Sequence, residues 1–428
     1  MAMAIGLALT LAGSAAGAPP GSLDPHFGSQ GTVVGPHVGG QGIDVLPKGG
    51  FLVAGFGTFH GKERWVVTRW TAKGKPDPSF GGGDGLASFA LSGFPVQGAS
   101  TVAQVANGKI VVGGSVCDAQ SVCDFAAARL KPHGKLDHTF GGGDGWVRTD
   151  FFGFDDILDG MAVRPSGKIV LMGDAKTASG DFDLGLVQYK KNGTPDGSFG
   201  PGGKFAQAVG KDGFWEAVAL DQSGRILAAG QDEGPGGSLD FVLAAIRTNG
   251  TLDPNFGGGD GFVETDFDHN YDVADALVGL PDGSILAAGE GGTALPGGGG
   301  TDDQFGIAKY APNGTLDTSF GGGDGLVTTN LAVPGFDRIE ALAVQKDGKI
   351  VAAGATDLLG SGNREWVVAR YLANGDPDTG FGTNGATLTN LTDKDDSPSF
   401  QGVGIEHKGR IVVSGYAGND PALAGYVG

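Results

Sequence analysis

The 428-residue chain has little of what usually announces a chemistry. Its seven histidines are scattered, and neither an HExxH nor a Gly-x-Ser-x-Gly pattern occurs. This removes the zinc-protease and serine-hydrolase readings. Basic residues are scarce, with 29 Lys and Arg against 48 Asp and Glu and a net charge of −19. Phosphate-rich partners demand a basic face, so the balance argues against nucleic acid and against an anionic membrane surface. Beyond residue 18 no stretch approaches the length of apolar chain that spans a bilayer, so no membrane span is expected. Only two cysteines are present, Cys117 and Cys123, with no histidine close enough to complete a metal site. They read as a disulfide closing one loop, which suits an oxidising compartment.

The first eighteen residues differ from all that follows. Residues 5–11 are apolar, and Ala16-Gly17-Ala18 offers a small-x-small cleavage site before Pro19-Pro20. The expectation is a secretory signal peptide over residues 1–18 and a secreted or cell-surface protein, although the leading segment lacks the usual Lys or Arg.

Glycine is what the chain does have, 84 residues of it, placed at corners between apolar runs and without the strict period of collagen. One phrase, Gly-x-[Leu/Pro]-Asp-x-x-Phe-Gly, recurs seven times. Its acid is Asp24, Asp77, Asp137, Asp196, Asp253, Asp317 and Asp378, and its aromatic is Phe27, Phe80, Phe140, Phe199, Phe256, Phe320 and Phe381. Repeats therefore begin near residues 21, 74, 134, 193, 250, 314 and 375, with no linker between copies. In the sixth copy a β-rich run at residues 326–329 precedes a second run at 339–345. A Gly-containing hairpin at Asp347-Gly348 follows, then the run 349–354, continuously apolar after Lys349, and a last strand at 366–371. The hairpin glycine recurs as Gly49, Gly108, Gly167, Gly224, Gly283, Gly348 and Gly409, read as a two-residue turn needing positive φ. Four short strands repeated seven times predict an all-β, seven-bladed β-propeller over residues 19–428. Two ways of closing the ring are open: the N-terminal phrase docks on the last blade, or an early strand near residues 32–38 pairs with the last, curtailed strand, and the second is preferred.

These copies resemble the delta-60 repeat family of exported bacterial propeller repeats. The likeness rests on the Leu-Asp-x-Ser/Thr-Phe-Gly-Gly-Gly-Asp-Gly runs at residues 136–145 and 316–325, the Asp-Gly-Lys-Ile-Val hairpin at 347–351, and the Asp-Phe-x-x-Ala start of a last strand at 124–130. The resemblance implies a propeller and carries no catalytic residues with it.

An acid present in all seven copies cannot be one catalytic group. Arg69, Arg129, Arg247, Lys309 and Arg370 precede the next Asp by about seven residues, so Asp and cation read as a pairing device between blades, with the Phe as a buried plug. Gly-Gly-Asp-Gly turns raise calcium through Asp84, Asp144, Asp260 and Asp324. Each loop offers one carboxylate where calcium wants six to eight oxygens, so these read as turns, and neither a metal nor another cofactor is predicted. A third set is the binding candidate. The second strand opens with Asp44, Asp159, Glu216, Asp275 or Glu340 in five copies, and acids also mark the start of the fourth strand, at Glu63, Asp124, Asp183, Asp240, Asp303 and Glu365. One face of the disc should carry a negative rim beneath the loops that vary most.

Function is less determined than shape. The reading that the symmetry favours is a non-catalytic exported scaffold binding a protein or glycan partner. The alternative is a secreted propeller enzyme, a polysaccharide lyase or glycosidase or a quinone-dependent oxidoreductase. A central pocket holding carboxylates that only some copies possess would separate the two.

Overall fold

The computed structural model describes residues 18–35, 41–209, 213–233, 238–267, 271–294, 301–331, 336–357, 364–391, 400–417 and 420–428. The expected signal segment, all but Ala18, lies outside them. Each hairpin glycine has positive φ, between 70° and 89°, but the loops are three residues long. At residues 164–168, Gly167 N–H donates to the Arg164 carbonyl (2.8 Å) and Arg164 N–H to the Lys168 carbonyl (2.9 Å). The glycine is thus the left-handed residue that follows a tight turn, not one of two central residues.

Seven four-stranded antiparallel sheets result, the seven-bladed propeller that the repeats imply. The inner strands are Ile43–Val45, Val96–Gln104, Asp156–Val163, Phe214–Leu220, Val273–Gly279, Asp337–Val344 and Phe400–Ile405, numbered here as blades 1 to 7. Each inner strand touches the next, and the seventh touches the first. The blade is offset from the repeat. Blade 6 runs Asp337–Val344, Ile350–Thr356, Glu365–Tyr371 and Ala386–Thr389, taking its outer strand from the copy that follows. This offset covalently ties each blade to its neighbour.

The same offset closes the ring. Blade 7 has no following copy, and its outer strand is Thr32–Val34, paired as Thr32 with Ala424, Val33 with Leu423 and Val34 with Ala422. The preferred interlocking of the two ends is present over Thr32–Val34, and residues 36–38 of the expected stretch lie outside the described residues. Among the described residues no helix is long and apolar enough to cross a membrane.

The core is divided rather than central. Seven apolar clusters each draw on two adjacent blades. The seven repeat phenylalanines, all 0% exposed, sit at these joints. The repeat aspartates pair as follows: Arg69–Asp77 2.8 Å, Arg129–Asp137 2.8 Å, Arg247–Asp253 3.1 Å, Lys309–Asp317 2.9 Å and Arg370–Asp378 2.8 Å. A second cation, unforeseen in the sequence, follows the hairpin glycine: Lys109, Lys168, Arg225, Lys349 and Arg410 reach Asp137, Asp196, Asp253, Asp378 and Asp24. Each aspartate also accepts the backbone N–H two residues on, from His26 to Gly380. One carboxylate therefore fixes a turn and bridges elements distant in the chain.

Candidate functional site

The site begins with a glycine. On the second strand of blades 2 to 6, Gly114, Gly173, Gly230, Gly289 and Gly354 lie where a Cβ would overlap the carbonyl oxygen of Gly98, Ile157, Phe214, Val273 and Arg338 on the inner strand. The missing side chain lets the inner strand crowd in, and it bulges one residue later, between residues 99 and 101, 158 and 160, 215 and 217, 274 and 276, and 339 and 341. A bulge re-aims a side chain. The bulged residues are Ser100, Asp159, Glu216, Asp275 and Glu340. They line one cavity of about 490 Å³ with Gln41, Gly42, Thr101, Leu158 and Arg338. Because five consecutive inner strands and the residues leading into a sixth contribute, this cavity is the central channel.

Four of the five candidate acids are brought together there. Asp44 is not. Counting four residues back from the end of each inner strand gives Gln41 as its bulge-position residue, and Asp44 lies three further on, level with Ala103, Ala162, Ala219, Val278 and Ala343. Its Oδ2 accepts Gln104 N–H at 2.6 Å in the neighbouring blade. The short first inner strand hid this shift of register in the sequence.

The ring is asymmetric. Blades 3 to 6 carry acids in succession, whereas blades 1 and 2 carry Gln41 and Ser100. Arg338 is the cation among the lining residues, at a position that is Gly98, Ile157, Phe214 and Val273 in other blades. Its Nε donates to Asp275 Oδ2 at 2.8 Å and its Nη2 to Oδ1, a two-pronged bond between blades 5 and 6. Burial works against the arginine's charge, but Asp275, Glu340 and Glu290 hold it firmly protonated. Burial pushes Asp275 up to about 6 in spite of that partner. Burial, then the charges of Asp174 and Glu216, put Asp159 well above the carboxylate range, and its buried Oδ2 makes no hydrogen bond. Burial also raises Glu216, against the pull of Arg338.

A second tier sits on the adjacent strands at one aligned position, occupied by Asp174, Gln231 and Glu290. Asp174 accepts Trp215 N–H at 2.9 Å and is pushed up to about 7, chiefly by burial. Glu290 is pushed up to about 8 by burial and by Asp303. Tyr271, 40% exposed, feels the charges of Glu290, Arg338 and Asp275 and is hydrogen-bonded to Gln231. Sequence reasoning missed Arg338 and this tier, since both are visible only when the copies are aligned on their hairpins.

The other motifs act in the scaffold. Asp84, Asp260 and Asp324 of the Gly-Gly-Asp-Gly turns each accept, at 3.0 Å, the backbone N–H two residues on. Cys117 and Cys123 form a disulfide.

The raised carboxyls set a pH dependence. An acid whose folded-state pKa is raised holds its proton more tightly when folded. The stability it gives is complete below the unfolded value, near 4, and is lost as pH rises through the folded value. For Asp275, Asp174 and Glu290 that window runs from about 4 to about 8. The repeat aspartates, held low by hydrogen bonds and cations, act oppositely and lose their contribution below about pH 4. The melting temperature is expected to fall between pH 5 and pH 8, with a shallower slope in Asp174→Asn, which can still accept from Trp215. A flat profile, or an unchanged slope in the variant, would refute this assignment.

No curated protein matches the sequence. Among solved structures, the chain is similar to Sqt1 from Chaetomium thermophilum (12% identity, 96% of this chain and 99% of that one, TM-score 0.49). It is also similar to a polysaccharide lyase, an ulvan lyase (11%, 92% and 96%, 0.48), and to a Trichoderma reesei carbohydrate-active enzyme of family AA12 (14%, 95% and 96%, 0.38). At such identities the likeness concerns the fold alone and says nothing of ligands. Residues 106–140, 164–199, 222–256, 280–320 and 345–381 match the family model described as a domain of unknown function (DUF5122) beta-propeller, a match compatible with the delta-60 resemblance. The chain folds as a β-propeller built of repeats and is similar, over these five stretches, to that family.

Proposed function

We propose that this propeller is an exported, non-catalytic binding module whose ligand enters the acid-lined half of the channel and carries positive charge. One observation carries the reading: carboxylates from four consecutive blades share a cavity of about 490 Å³ with a single arginine. Buried like charges repel and are costly unless paired. A ligand bearing ammonium groups would supply the missing charge and draw the proton off Asp159 or Glu216. The disulfide supports export, because such bonds persist in oxidising compartments.

Spermine is a suitable probe. Calorimetry should show saturable binding that weakens with salt, as screened charges require, and that falls at least about tenfold in Asp159→Asn/Glu216→Gln, equivalent to about 1.4 kcal/mol. Maltohexaose, neutral and of similar length, should not bind. Spermine binding unaffected by the double variant would sink the reading.

One observation favours catalysis instead. Glu290, pushed up to about 8, lies within the electrostatic reach of Asp275, pushed up to about 6. A protonated acid beside an ionised one is the pairing that glycoside cleavage uses. Release of reducing ends from a polysaccharide panel, abolished by Glu290→Gln, would select that reading over the first.

A further inference from the structure

Outside the channel, the joint between blades 2 and 3 gathers three more carboxylates. Asp124 follows the disulfide-bonded Cys123 and opens the third strand of blade 2. Asp150 follows its outer strand, Trp146–Thr149, and Asp156 opens the inner strand of blade 3. Each offers an oxygen, and the three oxygens lie within 4.8 Å of one another.

In every one of these carboxylates one oxygen is already engaged. Arg148 Nη1 reaches Asp124 Oδ2 at 2.8 Å, Gly153 N–H donates to Asp150 Oδ1 at 2.6 Å, and Phe151 N–H donates to Asp156 Oδ2 at 2.8 Å. Asp156 is 0% exposed, yet its Oδ1 has no hydrogen-bond partner, because the neighbouring Lys176 N–H, although it favours the charged form of Asp156, donates to the Asp155 carbonyl at 3.0 Å. A buried carboxylate oxygen left without a donor is costly, and native structures seldom keep one without an ion, water or function. The nearby ammonium does not fill the gap, because Lys204 Nζ donates to the backbone carbonyl of Asp150 and not to a carboxylate.

The arrangement recurs. Asp240, Asp266 and Asp272 have the same spacing, 26 and then 6 residues, and again place three oxygens within 4.8 Å. Phe267 N–H donates to Asp272 Oδ2 at 2.8 Å, as Phe151 does to Asp156. Glu264 stands where the first cluster has Arg148. The intervening blade has Asp183, Ala208 and Gly213 at these places and builds no such cluster.

We propose that Asp124, Asp150 and Asp156 bind a divalent cation, calcium, at the joint between blades 2 and 3. Three oxygens within 4.8 Å of one another can all reach one ion, and calcium, which accepts irregular shells of six to eight oxygens, suits an uneven set of this kind better than magnesium, which demands near-ideal octahedral geometry. Carboxylate oxygens are the donors that hard cations take, and calcium completes its shell with carbonyls and water. Bound there, the ion would tie the disulfide loop and outer strand of one blade to the inner strand of the next.

Calcium titration of the chelator-treated, full chain by calorimetry tests this. Binding is expected in the range of about 10⁻⁴–10⁻³ M that extracellular modules show, with affinity at least tenfold lower in Asp150→Asn. That substitution keeps Oδ1 for Gly153 and alters a half-buried residue, so folding should survive, as circular dichroism would verify. Asp84→Asn in a Gly-Gly-Asp-Gly turn and Glu216→Gln in the channel should leave the affinity unchanged, which separates this site from the channel reading. Absence of calcium binding up to about 10 mM, unchanged affinity in Asp150→Asn, or loss in Glu216→Gln instead would each overturn the proposal.

Discussion

A chain beginning at Gly35 should lose cooperative unfolding, although it keeps, among the described residues, the 27 strands other than the first. What it lacks is the closing strand, Thr32–Val34, and the phrase that precedes it. With them go the bonds from Gly21 N–H to the Val427 carbonyl (2.7 Å), Val427 N–H to the Ser22 carbonyl (2.9 Å) and Asp24 N–H to the Gly425 carbonyl (2.8 Å). The Arg410–Asp24 ion pair at 2.5 Å is lost as well. Phe27, 0% exposed, leaves the cluster it forms with Phe51, Val53, Trp70, Val412 and Leu423 at the joint of blades 7 and 1. Replacing Phe27 alone with alanine should cost about 3–5 kcal/mol, the range for a large aromatic removed from a core.

Truncation does more, because it bares the edge of the strand Asp420–Tyr426, and an unpaired edge invites association with other chains. Denaturation of the truncated chain should become broad and concentration-dependent. A peptide spanning residues 19–34, added in excess, should restore part of the stability by pairing with that edge. A truncated chain with the melting profile of the intact one would show that the other six joints hold the ring without this one.

How much of this was legible in the sequence follows from what repetition reveals and conceals. Identity between copies announces whatever every blade needs: the hairpin glycines, the buried phenylalanines and the Asp–cation pairs all stood out because they recur. The interlocked closure was legible only as one of two options, and the pairing of Thr32–Val34 with the last strand decides between them. The offset between repeat and blade was not legible, because a periodic sequence has no mark where one sheet ends and the next begins. The channel site was hidden for the opposite reason. Its residues are those in which the copies differ, and single substitutions such as Arg338 for Gly98 or Val273 look like noise. The bulge was written in the sequence as the glycine at positions 114, 173, 230, 289 and 354. Its meaning lay in a close approach between strands that no linear pattern displays. Asp44 shows the cost of reading register from the first apolar residue and not from the hairpin.

The Asp–cation pairs differ in how deeply they are set, and that difference should decide what their loss costs. Asp137 Oδ2 receives Lys109 Nζ at 2.7 Å and Arg129 Nε at 2.8 Å, while Oδ1 accepts the Thr139 N–H (3.2 Å) and hydroxyl (2.8 Å). Only 2% of this side chain and 9% of that of Arg129 are exposed. The guanidinium lies 4.9 Å from the ring centroid of Phe140 and donates to the Lys191 carbonyl in the next linker. Asp137→Ala would strand that charge in the joint between blades 2 and 3, and removing one partner of a buried pair costs about 3–5 kcal/mol. Asp77→Ala removes the counterpart one copy earlier, where the acid is 25% exposed and water can take over. Arg69 is itself only 11% exposed but keeps its bond to the Pro132 carbonyl (2.8 Å), so the loss should be smaller than at Asp137, about 1–3 kcal/mol. The double variant Arg129→Met/Asp137→Ala should recover part of the stability lost in Asp137→Ala, because the buried guanidinium is then gone and the charge left without its partner is that of Lys109, 32% exposed. Urea denaturation of the three variants measures all of this. Equal losses at Asp77 and Asp137, or no recovery in the double variant, would mean that the carboxylate matters for the turn it caps and not for the charge it buries.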